Sequence, residues 1–168
     1  KFVAEANKQN VKPIVGCEFY LVEDRFQKSF VGGKKDKRYH QLLLAKNTIG
    51  YQNLSKLCSL GFIEGLYSKW PRVDFELIKQ YKEGLIATSC CIGALIPQTI
   101  LHKGEEAAEA MLLEWVDVFG EDYYVELQRH GLDDIDNTGM SQEDVNQVLI
   151  RLANKHNIPI IATNDSHY

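Results

Sequence analysis

The sequence predicts an α/β fold with a mainly parallel sheet, and two observations lead to that prediction. Strand-like apolar runs alternate with helix-like segments, which indicates βαβ units. Centres of these runs recur about every 30 to 45 residues, a spacing typical of a barrel or of a doubly wound sheet. The runs are VKPIVGCEFYLV (11–22), HQLLLA (40–45), GLIAT (84–88), YYVELQ (123–128) and IPIIAT (158–163).

Before the first strand, KFVAEANKQN predicts the second half of an amphipathic helix, because Phe2, Val3 and Ala6 lie at helical spacing. The chain lacks an initial methionine and stops just past a strand. We therefore expect residues 1–168 to be a single incomplete domain from a larger protein. Between the first two strands, segment 23–39 is polar, basic and longer than most loops, which favours a functional role.

Four later segments predict helices from their apolar spacing and their end signals. Asp74 suits the first turn of one of them, and Ser141 suits the N-cap of another because acids follow it. Gly120 suits the end of a helix that opens with acids. The segments are GYQNLSKLCSLGF (50–62), VDFELIKQYKEG (73–84), GEEAAEAMLLEWVDVFG (104–120) and SQEDVNQVLIRLANKHN (141–157).

Composition argues against several classes of function. With 168 residues, of which 45% are hydrophobic and 25% charged, the chain can form one domain with a real core. Its net charge of -4 disfavours a surface that coats DNA non-specifically. No apolar run approaches the roughly 18 residues of a membrane span, and no signal peptide is evident. The four cysteines lack the CxxC spacing of a zinc ribbon or a redox motif. Because the cysteines are few and no secretory signal is evident, we expect a reducing, cytoplasmic location, and we expect no membrane partner.

Functional sites of α/β folds lie at the carboxyl ends of the strands, where an aspartate and a histidine follow the last run. If the chain stays extended, Asp165 and His167 point to one side, roughly 6.6 Å apart, and can converge on one ion. An Asx turn with an exposed histidine is the alternative. Glu18 stands alone in an apolar run and must face solvent, find partners or bind a metal. Simple alternation, with Cys17 and Phe19 inward, explains it equally well.

His40, His130 and one of the cysteines Cys90 and Cys91 are further candidates on weaker grounds. Cys90 and Cys91 are adjacent, so in an extended chain at most one of them reaches a common site; two small buried side chains are the alternative. His40 opens its strand at the amino end, which is the wrong end if that strand is parallel to the others. His130 ends a strand at the expected level and can contact a ligand or a substrate. A mixed imidazole, carboxylate and thiolate set suits zinc, and also manganese or iron.

Six stretches, taken in order, carry a resemblance to a known family. They are VKPIVGCEFY, HQLLLAKNTIGYQNLSKL, SKWPRVDFELI, EGLIATSCCIGALIP, YYVELQRHG and IPIIATNDSHY. Together they resemble motifs of the PHP (polymerase and histidinol phosphatase) domain of bacterial DNA polymerase III alpha subunits, over essentially all of residues 1–168. The resemblance implies part of a distorted seven-stranded β/α barrel of TIM-like form, with about five strands present and up to three metal ions in the intact domain.

The resemblance also implies a set of site residues, carried over position by position. Cys91 rather than its neighbour is the match, because the family has glycine where this chain has Cys90. A family glutamate is replaced by Leu95, and the family's His-x-His strand falls upstream of Lys1. His130 matches a histidine of less certain role, near a ligand or the substrate. The implied ligands of zinc or manganese are Glu18, His40, Cys91, Asp165 and His167.

For function, the resemblance implies a fragment of a DNA-directed DNA polymerase, a nucleotidyltransferase of DNA replication whose separate polymerase site uses magnesium. The intact PHP domain would act as a metal-dependent 3′–5′ exonuclease or phosphoesterase, or serve as a structural platform that docks partners. A free-standing PHP phosphatase is disfavoured by SKWPRVDFELI and NTIGYQNLSKL. The implied partners are DNA, the sliding clamp and a proofreading subunit. Without the upstream ligands and the polymerase domains, we expect the isolated fragment to be inactive.

Overall fold

The computed structural model describes residues 1–33 and 35–166, which form one six-stranded sheet and its flanking helices. The strands are β1 (Gly16–Val22), β2 (Tyr39–Ala45), β3 (Arg72–Asp74), β4 (Leu85–Thr88), β5 (Tyr123–Leu127) and β6 (Ile160–Ala162). The α-helices are α1 (Phe2–Lys8), α2 (Thr48–Ile63), α3 (Phe75–Gln80), α4 (Leu95–Lys103), α5 (Glu105–Phe119) and α6 (Gln142–His156).

All five predicted strands and all five predicted helices are present. Ser141 caps α6 as expected, in a capping box in which its side chain and that of Asp144 each accept a hydrogen bond from the other residue's backbone N–H. Two elements were missed. Strand β3 begins inside the segment expected to be helical, and Asp74 instead caps α3 by accepting from the backbone N–H of Leu77 at 3.0 Å. Helix α4 was also missed; its Pro97 lies in the first helical turn, which tolerates proline.

The sheet is mostly parallel, in the order β3-β1-β2-β4-β5-β6. Strand β1 pairs in parallel with β3, and β5 pairs in parallel with β4 and β6. Strand β2 is the exception, because it runs antiparallel to both of its neighbours, β1 and β4. The predicted mainly parallel α/β sheet is confirmed, with one strand more than the five expected, and the arrangement is compatible with part of a TIM-like barrel.

Because β2 runs in the reverse direction, its amino end lies at the rim of the sheet formed by the carboxyl ends of β1 and β4. His40 pairs with Tyr20 near the carboxyl end of β1, and Leu43 pairs with Ala87 so that the start of β2 lies beside the end of β4. The sequence had placed His40 at the wrong end of its strand on the assumption of a parallel strand. That assumption is wrong for β2, so His40 joins the carboxyl ends of its neighbours.

The larger of the two buried clusters in the described part of the chain packs the helices against the sheet and fixes this rim. Leu43, Ala87 and Val125 are buried at the centre of three adjacent strands. From α5, the ring of Trp115 stacks on Phe119 and is itself buried in the same cluster. Within the described residues, no helix is both long and apolar enough to cross a membrane.

Candidate functional site

Glu18 and His40 meet across the antiparallel pair of β1 and β2. Glu18 is directly opposite Leu42, and His40 lies two residues from Leu42 on the same face of the sheet. Diagonal neighbours of this kind lie within reach of long side chains. Oε1 of Glu18 accordingly lies 3.2 Å from Nδ1 of His40, and the two side chains are 35% and 39% exposed. The outward position expected for Glu18 from strand alternation is therefore also the position that brings it to a histidine.

Cys91 reaches the same nitrogen from the turn that follows β4. Its Sγ lies 3.3 Å from Nδ1 of His40. The backbone N–H of His40 donates to the carbonyl of Gly93 at 3.2 Å, which ties the turn to the start of β2. A Cβ on Gly93 would lie 3.4 Å from that Nδ1, so a residue without a side chain allows this close approach. Cys91, rather than Cys90, contacts the histidine.

The two adjacent cysteines have opposite pKa shifts. A hydrogen bond from Cys90 is the largest influence on Cys91 and lowers the pKa of Cys91 from 9.0 to about 6, against the opposing effect of burial. The backbone of Gly93 and the ring of His40 lower that pKa further. The same Cys90–Cys91 hydrogen bond, together with burial, raises the pKa of Cys90. Because the thiolate is the form that binds metals and attacks electrophiles, Cys91 is the reactive member of the pair.

Two of the separations among these three donors are close to those required by a tetrahedral ion. Zinc bonds of about 2.1 Å to nitrogen or oxygen and about 2.3 Å to sulfur place neighbouring ligands about 3.4 to 3.6 Å apart. The two measured separations, 3.2 and 3.3 Å, are only a few tenths shorter. Among residues 1–33 and 35–166, however, no three such side chains already have metal-holding geometry. Glu18 and Cys91 both approach the same nitrogen of His40, so binding requires small rotations that aim all three donors at one point.

The remaining predicted residues have different placements. Asp165 is partly buried and has φ of 50°, so the chain does not stay extended there, as the expected pairing with His167 required. His167 lies outside the described residues. His130 is exposed after β5, and its backbone N–H donates to Oε1 of Gln142 at 2.6 Å.

Sequence reasoning missed Glu126, a buried carboxylate on β5. It accepts hydrogen bonds from the hydroxyls of Thr88 and Thr163 at 2.6 and 2.5 Å, and from the amide of Gln128 at 3.0 Å. Glu126 is a lone acid in the apolar run YYVELQ, and the same pattern singled out Glu18 in the sequence. The lone-acid pattern marks both residues and does not distinguish their surroundings.

Comparison with known proteins gives a consistent result. The sequence profile of the PHP domain family matches residues 1–130. The chain is 44% identical to the DNA polymerase III subunit alpha of Borreliella burgdorferi over 170 residues, and 43% identical to that of Thermus aquaticus over 169 residues. It is 40% identical to the Treponema pallidum subunit over 171 residues. These alignments cover 99–100% of the chain but only 13–14% of each relative, so the chain spans a small part of their length.

Proposed function

The chain belongs to the PHP domain family, and from this premise we propose that it is the metal-binding PHP domain of a DNA polymerase III alpha subunit. The observation that carries the proposal is the convergence of Glu18, His40 and Cys91, three donors of different chemistry from three separate segments, within 3.3 Å of one another in successive pairs. A thiolate and an imidazole favour zinc, and a carboxylate also suits manganese. Asp165 and His167 complete the proposed ligand set.

Each proposed ligand has a defined contribution. Cys91 would bind as a thiolate, because its pKa is lowered to about 6. His40 is held at the rim by its backbone bond to Gly93, and Glu18 is exposed enough to turn between His40 and an ion. When bound, the metal would supply an activated water and positive charge for phosphate oxygens. The proposed reaction is therefore 3′–5′ exonucleolytic or phosphoester hydrolysis, with His130 near a ligand or the substrate.

A non-catalytic platform is the second candidate, and the close contacts of His40 favour it. Because Glu18 and Cys91 both lie against Nδ1 of His40, the three side chains also form a closed polar cluster that stabilises the rim without any ion. In that case the domain would dock the sliding clamp or a proofreading subunit. For either role we propose DNA replication in the cytoplasm, DNA as the partner of the complete polypeptide, and magnesium at a separate polymerase site.

Elemental analysis of the complete polypeptide that carries these residues tests the metal proposal. We expect tightly held zinc or manganese in the wild type, and a lower content in Glu18→Gln and His40→Ala. His102→Ala is the matched control, because His102 is an exposed histidine whose Nε2 lies 3.5 Å from Asp136, away from the proposed ligands. Absence of metal from the wild type, or equal loss in His102→Ala, would overturn the proposal.

Release of nucleotides from end-labelled single-stranded DNA then separates the two candidate roles. Hydrolysis that stops with a chelator and in His40→Ala, while polymerisation continues, supports the exonuclease. Bound metal without any hydrolysis supports the platform.

A further inference from the structure

The surroundings of Glu126 are unusual for a buried acid. The residue is only 4% exposed, and burial of an unpaired carboxylate is costly. Within the described part of the chain, no arginine, lysine or histidine forms an ion pair with it. Three uncharged donors satisfy it instead: the two threonine hydroxyls and the amide of Gln128. Because no cation among the described residues balances this carboxylate, its role must be sought in the groups that donate hydrogen bonds to it.

The first of these groups leads to Cys91. The hydroxyl of Thr88 donates to Oε2 of Glu126 at 2.6 Å and accepts from the backbone N–H of Cys90 at 3.0 Å. Cys90 has φ of 58°, a left-handed conformation that costs about 1 kcal/mol or more in a residue with a side chain. Thr88 therefore links Glu126 to the strained turn at Cys90, which directs Cys91 towards His40.

The second group leads to Asp165. The hydroxyl of Thr163 donates to Oε1 of Glu126 at 2.5 Å, and its backbone N–H donates to the carbonyl of Leu127 at 3.1 Å. Asp165, two residues further along, has a left-handed φ of 50°. Thr163 is thus attached to β5 through both its backbone and its side chain, immediately after the chain leaves β6.

Gln128 closes the network and fixes the orientation of the carboxylate. Its Nε2 lies 3.0 Å from Oε1 of Glu126 and 3.3 Å from Oγ1 of Thr163, so it bridges the two. Its backbone carbonyl accepts from Nδ2 of Asn146 on α6 at 2.9 Å. On the opposite side, the backbone N–H of Glu126 donates to Oγ of Ser89 at 2.8 Å. The carboxylate is therefore held by β4, by the residue that follows β5, by the segment after β6 and, indirectly, by α6.

We infer that Glu126 is a positioning residue that fixes the turn bearing Cys91 and the segment bearing Asp165 relative to each other. These two segments follow β4 and β6, which lie on opposite sides of β5, and one carboxylate contacts a threonine from each. The inference rests on the proposed metal function for what the two segments bind, although the contacts themselves do not depend on it. Glu126 acts through Thr88 and Thr163.

Cobalt(II) titration of the metal-free complete polypeptide tests this role, with the thiolate-to-cobalt absorption as the readout. Glu126→Gln keeps the shape of the side chain but replaces one acceptor oxygen with a donor, so one threonine hydroxyl loses its acceptor. Loss of a group that orients metal ligands typically weakens metal binding about 10- to 100-fold. We expect a fall of that size in cobalt affinity.

Val125→Ala is the matched control, because Val125 is buried next to Glu126 on the same strand and has no part in the polar network. It should lower stability and leave cobalt affinity unchanged. Unchanged affinity in Glu126→Gln, or an equal loss in Val125→Ala, would overturn the inference.

A milder pair of variants keeps the test decisive if Glu126→Gln does not fold. Thr88→Ser retains the hydroxyl and should keep the affinity and the thiolate absorption. Thr88→Val removes the link to Cys90 and should weaken both. Equal behaviour of the serine and valine variants would show that the hydroxyl, and with it the contact to Glu126, does not position Cys91.

Amide hydrogen exchange in chelator separates failure of this inference from failure of the proposed metal function. In the metal-free protein, Glu126→Gln should accelerate exchange at Cys90 and Thr163, whose N–H groups attach the two positioned segments to Thr88 and to the carbonyl of Leu127. Val125→Ala should not produce this selective effect. If the wild type binds no cobalt but this pattern appears, the metal proposal fails and the positioning role stands. Without selective acceleration, the positioning role fails.

Discussion

Glu18 and Glu126 are both lone acids in apolar strands, yet the fold uses them in opposite ways. The side chain of Glu18 is 35% exposed and contacts a half-exposed histidine. Glu126 is buried, and three donors from its own chain occupy its oxygens. The first carboxylate is open enough to solvent to reach an ion, whereas the second has its oxygens occupied by donors of the protein. Glu18 should therefore matter for binding and Glu126 for the structure that makes binding possible.

Removal of each carboxylate should separate these roles, with the largest effect at Glu126. Glu126→Leu leaves two hydroxyls and an amide without their acceptor, at about 1–3 kcal/mol for each group that finds no substitute. We expect the free energy of unfolding to fall by about 3 kcal/mol in urea denaturation of the metal-free protein. Glu18→Leu should change it by less than about 1 kcal/mol, because Glu18 lies on a partly solvated face. Equal losses for the two variants would break the comparison.

The alkylation rates of Cys91 and Cys17 test the proposed ligand side of the comparison. The pKa of Cys91 is lowered to about 6, whereas burial first and then Cys58 raise the pKa of Cys17 to about 12. Although Cys17 is the more exposed of the two, Cys91 should be alkylated faster by iodoacetamide at pH 7.5 in metal-free protein, because only its thiolate is populated. Mass spectrometry of the labelled peptides gives the two rates. Faster labelling of Cys17 would show that exposure, rather than pKa, controls the reaction.

The same shift predicts the direction of a pH dependence. Because folding lowers the pKa of Cys91 from 9.0 to about 6, its contribution to stability is fully present above pH 9 and is lost as the pH falls through about 6. In metal-free protein, Cys91→Ser should remove that part of the pH dependence of unfolding. A dependence that is unchanged in the variant would contradict the lowered pKa.

Cys90→Gly should have the smallest effect on stability. Glycine adopts the left-handed φ of 58° without strain, which offsets the loss of a small buried side chain, so we expect a net change below about 1 kcal/mol. The variant also removes the hydrogen bond that lowers the pKa of Cys91 most. The pH profile of Cys91 alkylation should therefore move to higher pH. A profile that does not move would mean that His40 and Gly93 alone set this pKa.

The sequence allowed prediction of the repeating parts of the fold and of part of the site. Apolar runs located five strands, and Ser141 and Gly120 marked helix ends that the structure confirms. The direction of β2 could not be predicted, because a period-two pattern is the same in parallel and antiparallel strands, and this direction decides where His40 lies. Strand β3 is too short, at three residues, to show a period.

The candidate site was predictable only as residue types. Glu18, His40 and Cys91 were singled out one by one or by resemblance, and their convergence depends on β2 and on the left-handed turn at Cys90. Glu126 was missed because its hydrogen-bond donors, Thr88 and Thr163, lie tens of residues away in the sequence. Whether a lone strand acid is solvated or buried depends on such distant partners, which local pattern does not contain.

X-ray absorption spectroscopy of the zinc-loaded complete polypeptide tests most directly whether Cys91 joins Glu18 and His40 around one ion. We predict a single sulfur neighbour at about 2.3 Å, together with nitrogen and oxygen neighbours at about 2.0–2.2 Å. Cys91→Ser should remove the sulfur signal, and the adjacent Cys90→Ser should retain it. A zinc ion without a sulfur neighbour, or a sulfur signal that disappears with Cys90→Ser and persists with Cys91→Ser, would contradict the proposed metal centre.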